Sequence, residues 1–334
     1  MCWIGRRSAG LCLAVVAFGA LVRASQDQPA PAATPPSLER GALAIMRRDG
    51  LMLPFAAFNR NSWQIAWPLV PTGEIPVTIE AIPERWWGTP TPTQWRLRLT
   101  NGEERPLELS APQIYRTFCS MRIGVRTNYR SAQPLPPSPV EPFPKDGVAI
   151  SGSVPIEPIE MVDSASAEWR ALTASLVTEF NKIEEQTATR VRHNTGWRHP
   201  TAPAARRTLP IRLESWYRSP MEPGWDVSYV EAVRQYPPRP EDKGCGLETL
   251  VSGWLHHYNG ELKDASDLVG KITYCDRVGA TYMLPFGRMR IRERNYWIFQ
   301  LSGWEDEWYE VAEVRPEKIR YVIEVYAGGR RSCR

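Results

Sequence analysis

His257 stands four residues before Glu261, and His256 precedes it. On a helix that spacing would bring an imidazole and a carboxylate together as metal ligands or as an acid–base pair. Asn259 and Gly260 lie between them, however, and predict a hairpin turn. On a strand His256 and His257 face opposite sides, so structural use is expected ahead of catalysis. His193 and His199 fall in a basic stretch and are expected to be solvated. A second concentration of chemistry is Trp304-Glu305-Asp306-Glu307-Trp308, three carboxylates between two indoles. Oxygen-rich loops hold calcium, but the spaced acids and glycine of an EF-type loop are missing, so a solvated turn is expected. No metal site and no cofactor is expected. The chain also lacks a Gly-rich phosphate loop, an HExxH helix and a GxSxG elbow.

Aromatic side chains are the other chemical resource. Gly-Trp steps occur at Gly196, Gly224, Gly253 and Gly303, whereas 14 tryptophans and 23 glycines in 334 residues would give about one by chance. A glycine within a strand marks a bulge or a close backbone approach that a neighbouring ring can cover. Packing is therefore the expected role of any single tryptophan. Indoles can equally serve as platforms for a sugar or a peptide, stacking on flat apolar faces while the N–H bonds a polar rim. Trp86 and Trp87 suit that role, because adjacent strand residues cannot enter one core and Gly88 and Pro90 follow at once.

Two functional expectations result. The first is a non-catalytic protein binding an envelope or extracellular carbohydrate or peptide through Trp86, Trp87, Trp304 and Trp308. The alternative is a secreted hydrolase with its site in the C-terminal module, near His256 or Glu305. A concave pocket where a histidine meets a carboxylate would favour the hydrolase, and an exposed aromatic patch would favour binding.

Both readings assume export, which the N-terminus suggests. Met1–Arg7 is short and basic, Leu11–Val22 is apolar, and Val22 and Ala24 are small residues at the positions a signal peptidase reads. Residues 1–24 are thus expected to be a signal peptide and the mature chain periplasmic or secreted. Ser8, Ala9 and Gly10 after Arg6-Arg7 fit a twin-arginine signal poorly, and Leu11 before Cys12 does not fit a lipobox. No later segment reaches the roughly 18 apolar residues of a membrane helix, so no span is expected after cleavage. Cleavage removes three arginines and no acid, lowering the net charge from +4 to about +1, which argues against nucleic acid as a partner.

Cys119, Cys245, Cys275 and Cys333 remain, an even number in an oxidising compartment. Two disulfides are expected. Cys119 alone lies in the N-terminal half, so parity requires it to bond across to the C-terminal half.

These residues need a scaffold, and the pattern is mainly β. Residues 25–37 have the Pro- and Ala-rich composition of a linker. Residues 38–130 alternate short apolar runs with turns, an N-terminal β module. At Thr100-Asn101-Gly102 a three-residue loop is expected, because it puts Trp95, Leu97, Leu99, Leu107 and Leu109 on one face and pairs Arg98 with Glu104. Six prolines between Pro134 and Pro144 make residues 131–162 a connector. Residues 163–334 hold an amphipathic helix, Ser164 to about Thr187, whose stripe Trp169, Leu172, Leu176, Phe180 and Ile183 should lie on a sheet. They also hold a meander through Met289–Ile291, Tyr296–Leu301, Trp308–Val314 and Ile319–Tyr326. In its last strand Ile319, Tyr321, Ile323 and Val325 are expected to form one apolar face. The fold expected is two antiparallel β modules, sandwich- or barrel-like, with one helix on the second. Met-Leu-Pro-Phe occurs at Met52–Phe55 and again at Met283–Phe286, an echo too short to define a repeat.

Overall fold

A computed structural model describes residues 39–329, except 70, 72, 138–141, 243, 266, 304, 305 and 317. The signal peptide and linker expectations, Cys333, Trp304 and Glu305 therefore lie outside the described residues.

Along the chain, β1 (Arg40–Arg47), β2 (Leu51–Asn59), β3 (Ser62–Ile65), the helical turn α1 (Glu84–Trp87), β4 (Trp95–Leu99), β5 (Glu104–Leu107), β6 (Leu109–Thr117), β7 (Ser120–Thr127) and β8 (Lys145–Ser151) come first. Their strands make an eight-stranded sheet, ordered β5-β4-β8-β1-β2-β7-β6 with β3 on β2. Next come β9 (Ile156–Glu157), β10 (Glu160–Met161), α2 (Ala167–Thr195), α3 (Pro203–Arg207), β11 (Arg212–Pro220), β12 (Trp225–Gln235), β13 (Leu247–Tyr258), β14 (Glu261–Asp264) and β15 (Val269–Tyr274). Strands β10 to β15 form a second sheet, ordered β10-β11-β12-β13-β14 with β15 on β13. The last strands are β16 (Thr281–Ile291), β17 (Arg294–Gly303), β18 (Asp306–Arg315) and β19 (Lys318–Gly329). They form the expected meander, and β9 completes the third sheet, β19-β18-β17-β16-β9. The chain is mainly antiparallel β with one long helix.

The apolar pattern stacks these sheets in layers. The third sheet lies in the middle. One of its faces meets the first sheet across a core of Leu43, Ile45, Phe55, Ile150, Phe286, Ile298, Val311 and Val325. Its other face meets the second sheet through Val227, Tyr229 and Trp254 against Met283, Trp297, Phe299 and Ala312. Helix α2 covers the outer side of the second sheet. The segment around Trp67 and Trp87 covers the outer side of the first. β1 is buried on both faces for this reason, and its apolar residues run without alternation.

Local details follow the sequence. Arg98 pairs with Glu104 and Trp95 with Leu107, so the loop has three residues, and Gly102 adopts φ 93° there. Tyr258 pairs with Glu261 across Asn259-Gly260 as a two-residue hairpin. Sheet pairing resumes at Lys145, directly after Pro144. The two Met-Leu-Pro-Phe segments share a structural role. Ala44 pairs with Pro54 and Leu43 with Ala56, which leaves Phe55 unopposed. Pro285 pairs with Phe299 and Gly287 with Ile298, which leaves Phe286 in the same position. Each bulge turns its phenylalanine into the core between the first and third sheets.

Two expectations are corrected by packing. The helix begins three residues later and ends eight residues, just over two turns, later than its apolar stripe predicts. Ser166 caps its N-terminus, accepting a bond from the Trp169 N–H at 3.1 Å. Beyond Ile183 the buried face is mostly polar: Glu184 accepts a 2.6 Å hydrogen bond from Arg234 Nη1 and another from the Tyr236 hydroxyl, and Thr187 is buried beside Ala188. A helix anchored by ions has no apolar periodicity to read. The supposed single face of the last strand is also divided. Val311 pairs with Ile323 and Ala312 with Tyr321, so Val322 is an inserted bulge residue. Ile323 and Val325 consequently join the core toward the first sheet, and Ile319 joins the core toward the second.

Candidate functional site

Trp86 and Trp87 differ in exposure. They sit on α1, a helical turn rather than a strand, so neighbouring side chains need not diverge. Trp87 is fully buried and Trp86 half-buried, and both rings meet Trp67, at 5.0 and 5.4 Å. His256 and His257 are both buried. Their neighbours Trp254 and Leu255 enter opposite cores of the second sheet, so the histidines diverge as expected. Burial, with the charges of His256 and Arg218, pushes His257 down to about 4, which leaves it neutral near pH 7. His199 is half-buried rather than solvated. It packs on Tyr236 at 4.7 Å, and burial and the Arg206 charge push it down to about 4. Cys245 and Cys275 are bonded, with Cα atoms 5.2 Å apart.

The acidic stretch 304–308 is not a solvated turn where it is described. Asp306 to Trp308 begin β18. Glu307 is 2% exposed and forms a 2.9 Å ion pair with Lys145 of β8, joining the third sheet to the first. Asp306 accepts a 2.8 Å hydrogen bond from the Tyr326 hydroxyl.

On the other face of β18 the chain assembles an aromatic and carboxyl cluster. Trp308 lies opposite Tyr326, and Glu310 opposite Glu324. Directly opposed residues have Cβ atoms about 5 Å apart, and neighbours two along a strand share a face, so the four side chains form a square. The indole and phenol are half-buried with centroids 5.6 Å apart. Phe299 flanks Glu310 from β17, while Tyr229 and Trp254 approach from the second sheet. Glu310 is 4% exposed, its Oε2 accepts no hydrogen bond, and neither it nor Glu324 forms an ion pair among the described residues. Burial, reinforced by the charge of Glu324, pushes Glu310 up to about 8. Glu313, three residues on, is equally buried but meets Arg315 at 2.6 Å and Arg320 at 2.5 Å. Burial raises its pKa, yet those bonds outweigh burial and hold it below the ordinary range.

A cavity of about 170 Å³ lies between the second sheet and the start of β16, lined by Glu231, Leu250, Ser252, Lys271, Ala280 and Tyr282. Glu231 accepts hydrogen bonds from Ser215 Oγ at 2.6 Å and from the Met283 N–H at 2.7 Å. Strand β9 pairs with β16 only at Arg288 and Met289, so Glu231 satisfies an N–H that β9 does not reach. Burial pushes Glu231 up to about 7 despite these bonds. The rim is fixed by Arg277, which binds both Glu214 oxygens at 2.7 and 2.9 Å and the Tyr282 hydroxyl at 2.7 Å, two residues from the disulfide. A larger trough, about 610 Å³, runs beside Arg40, Arg96 and Thr89–Gln94, and neither carboxyl nor aromatic groups line it.

Comparison with protein-family models, curated proteins and solved structures gave no match.

Of the tryptophans singled out from sequence, Trp308 is half-buried against Tyr326, on the strand face that carries Glu310. Glu310 and Glu231 were missed. A signal for Glu310 exists: apolar residues occupy both parities of Trp308–Val314, so β18 is buried on both faces and any carboxylate within it must be buried too. The same signal exists for Glu231, since apolar residues occupy both parities of Val227–Val233, but the N–H it caps is 52 residues away and could not be read.

Proposed function

We propose that this chain is an exported, non-catalytic binding protein whose carbohydrate or peptide ligand rests on the β18–β19 face. The observation that supports this most is the half-buried Trp308, packed at a tilt against Tyr326 beside polar groups, the composition that binds an apolar face and a polar rim together. The exported state is supported by the N-terminal pattern and by the Cys245–Cys275 bond. The test is a titration of wild type and Trp308→Ala with a panel of oligosaccharides and short peptides, read by indole NMR. Binding that is lost in the variant supports the reading, and identical titrations of the two proteins overturn it.

A hydrolase is the second reading, moved from His256 and Glu305 to Glu231. A carboxyl held near 7 beside a cavity matches the requirement for a general acid or base at neutral pH. Turnover of an ester or glycoside panel that disappears in Glu231→Gln would support it, and absence of turnover in wild type removes it.

A further inference from the structure

We propose that the cavity beside Glu231 binds a small zwitterion, with its ammonium against the Glu231 carboxylate and its anionic end against Lys271 at the mouth. The site shares no residue with the β18–β19 face and requires no turnover. Glu231 is 6% exposed and points at β16, since its Oε1 accepts from the Met283 N–H and its Oε2 from Ser215 Oγ. Both donors are neutral, and Glu231 forms no ion pair among the described residues. The guanidinium that acts on it, Arg277, is taken up by Glu214, Glu248 and the Tyr282 hydroxyl. A buried carboxylate without a cation is costly, and the cavity of about 170 Å³ beside it has room for one. An apolar cavity of about 150 Å³ already admits benzene.

Sheet register gives the cavity a negative inner end and a positive outer one. Ala232, Val251 and Gly270 oppose one another across β12, β13 and β15. Ala232 and Val251 turn their side chains to the α2 core, so they line the cavity with backbone and form its floor. To one side stand Glu231, Ser252 and Val269, and to the other Leu250 and Lys271. Gly279 to Tyr282 cover the top. Strand β15 pairs only with β13, and Val269 and Lys271 on it are exposed, so the cavity opens there. Lys271 forms no ion pair among the described residues, and its Nζ reaches over Gly279, 2.9 Å from where a Cβ would sit. Two strand spacings, about 10 Å, separate β12 from β15. Charged hydrogen bonds of about 2.8 Å at each end leave roughly 4 to 5 Å between the ligand charges, the span of a short ω-amino acid. An ammonium has three donors, and the free lone pairs of Glu231 with the Ser252 and Thr281 hydroxyls supply acceptors. A simple amine lacks a partner for Lys271, and a simple carboxylate meets Glu231 as a like charge.

Binding must be coupled to a proton. Burial pushes Glu231 up to about 7, so part of the population is the neutral acid at neutral pH, and an ammonium selects the carboxylate. The other charged and titratable groups around Glu231 are Glu214 and Tyr217 of β11, Tyr229 of β12, Lys271 of β15, Arg277 of the following turn and Tyr282 of β16. Burial holds the three tyrosines neutral, with Tyr217 pushed up to about 12. Glu214 is bonded to Arg277, which that contact keeps charged. The proton released to buffer on binding therefore comes from Glu231.

4-Aminobutyrate and its two singly charged analogues, butylamine and butyrate, test this with the intact mature protein, read by NMR shifts of the Gly279–Tyr282 amides. At pH 8 butyrate should bind about tenfold or more weakly than 4-aminobutyrate, the scale of a buried bond to a charged group. Butylamine should bind about threefold more weakly, the scale of an exposed ion pair. The 4-aminobutyrate affinity of wild type should fall about tenfold from pH 8 to pH 6 as Glu231 takes up its proton. Glu231→Gln should weaken 4-aminobutyrate about tenfold and abolish that pH dependence. Lys271→Met, at an exposed position, should bind 4-aminobutyrate and butylamine equally, and it decides the matter with the wild-type pH series if circular dichroism shows Glu231→Gln unfolded. Three results overturn the proposal: 4-aminobutyrate binding no tighter than either analogue, equal affinity at pH 6 and pH 8, or no amide shift at millimolar concentration. Each readout is binding without turnover, so the hydrolase reading stands or falls separately by its own assay.

Discussion

Glu307→Gln isolates the ion pair that ties the first sheet to the third. Lys145 and Glu307 have side chains 2% and 3% exposed and approach to 2.9 Å. At an effective dielectric constant of 20 their attraction is about 6 kcal/mol, before the desolvation that both ions suffer. The glutamine keeps the shape and can still accept from the Tyr309 hydroxyl, but Lys145 is left as a buried ammonium whose remaining partner is the Phe143 carbonyl at 2.5 Å. Breaking one side of such a pair costs about 3 to 5 kcal/mol. In a domain of this size that lowers Tm by roughly 6–12 °C. Burial, opposed by Glu307, already holds the Lys145 ammonium below its ordinary pKa, and losing the carboxylate depresses it further. The unfolded state then binds more protons than the folded state at alkaline pH, so the deficit should shrink as pH rises through 8 to about 10. Urea denaturation of wild type, Glu307→Gln and Lys145→Met/Glu307→Leu measures these terms, with the double variant expected to regain most of the loss. A cost below about 1 kcal/mol, as expected of the exposed Lys182–Glu179 pair, would refute the buried-pair reasoning.

The acids Glu231 and Glu310, pushed up to about 7 and about 8, hold protons in the folded state that the unfolded chain releases above about 4.5. Stability should therefore fall between pH 6.5 and 8, by at most about 1.4 kcal/mol per pH unit per proton, and Glu310→Gln should flatten a Tm–pH plot there. His199 and His257, pushed down to about 4, act in the opposite sense but only below about 6.5, and an unchanged plot in the variant would contradict the assignment. Replacing Cys245 and Cys275 together by serine opens a loop with a sequence separation of 30, worth about 3.6 kcal/mol in the chain-entropy model, so an unmoved urea midpoint would sink that account. Leu176→Asp, at a position 3% exposed, should cost about 3 kcal/mol or more, whereas Ala174→Asp on the exposed side of α2 should cost under 1; equal thermal shifts would refute burial of the stripe. N-terminal sequencing of protein recovered from periplasm or medium should start at Ser25 or within a residue or two, and intact chain starting at Met1 would contradict export.

What was readable in the sequence was local. The three-residue loop at Thr100–Gly102 follows from side-chain parity across one turn, and the Asn259-Gly260 hairpin follows from turn chemistry, which is why both appear with their expected register. The α2 stripe also reports its own burial, since its five apolar residues share one face. Features that depended on distant residues escaped. The C-terminal end of α2 is held by Arg234, whose bond to Glu184 spans 50 residues, so no periodicity marks it. A bulge at Val322 sent the halves of β19 to different cores, and no composition signal announces a bulge. Trp86 and Trp87 were expected on a loop with one ring exposed, whereas they lie on helical α1 with Trp87 buried, Trp86 half-buried and both rings against Trp67. Sequence by itself determined the β character, the turns and the one amphipathic helix, because these depend on residues within a few positions of each other. Only the tertiary structure decided that the third sheet lies between the other two, and with that layering whether a given carboxylate meets arginines, as Glu313 does, or aromatic rings and another acid, as Glu310 does. The environment of a buried charge is supplied by side chains remote in sequence, and alternation along one strand fixes which way a residue points but not what it will meet.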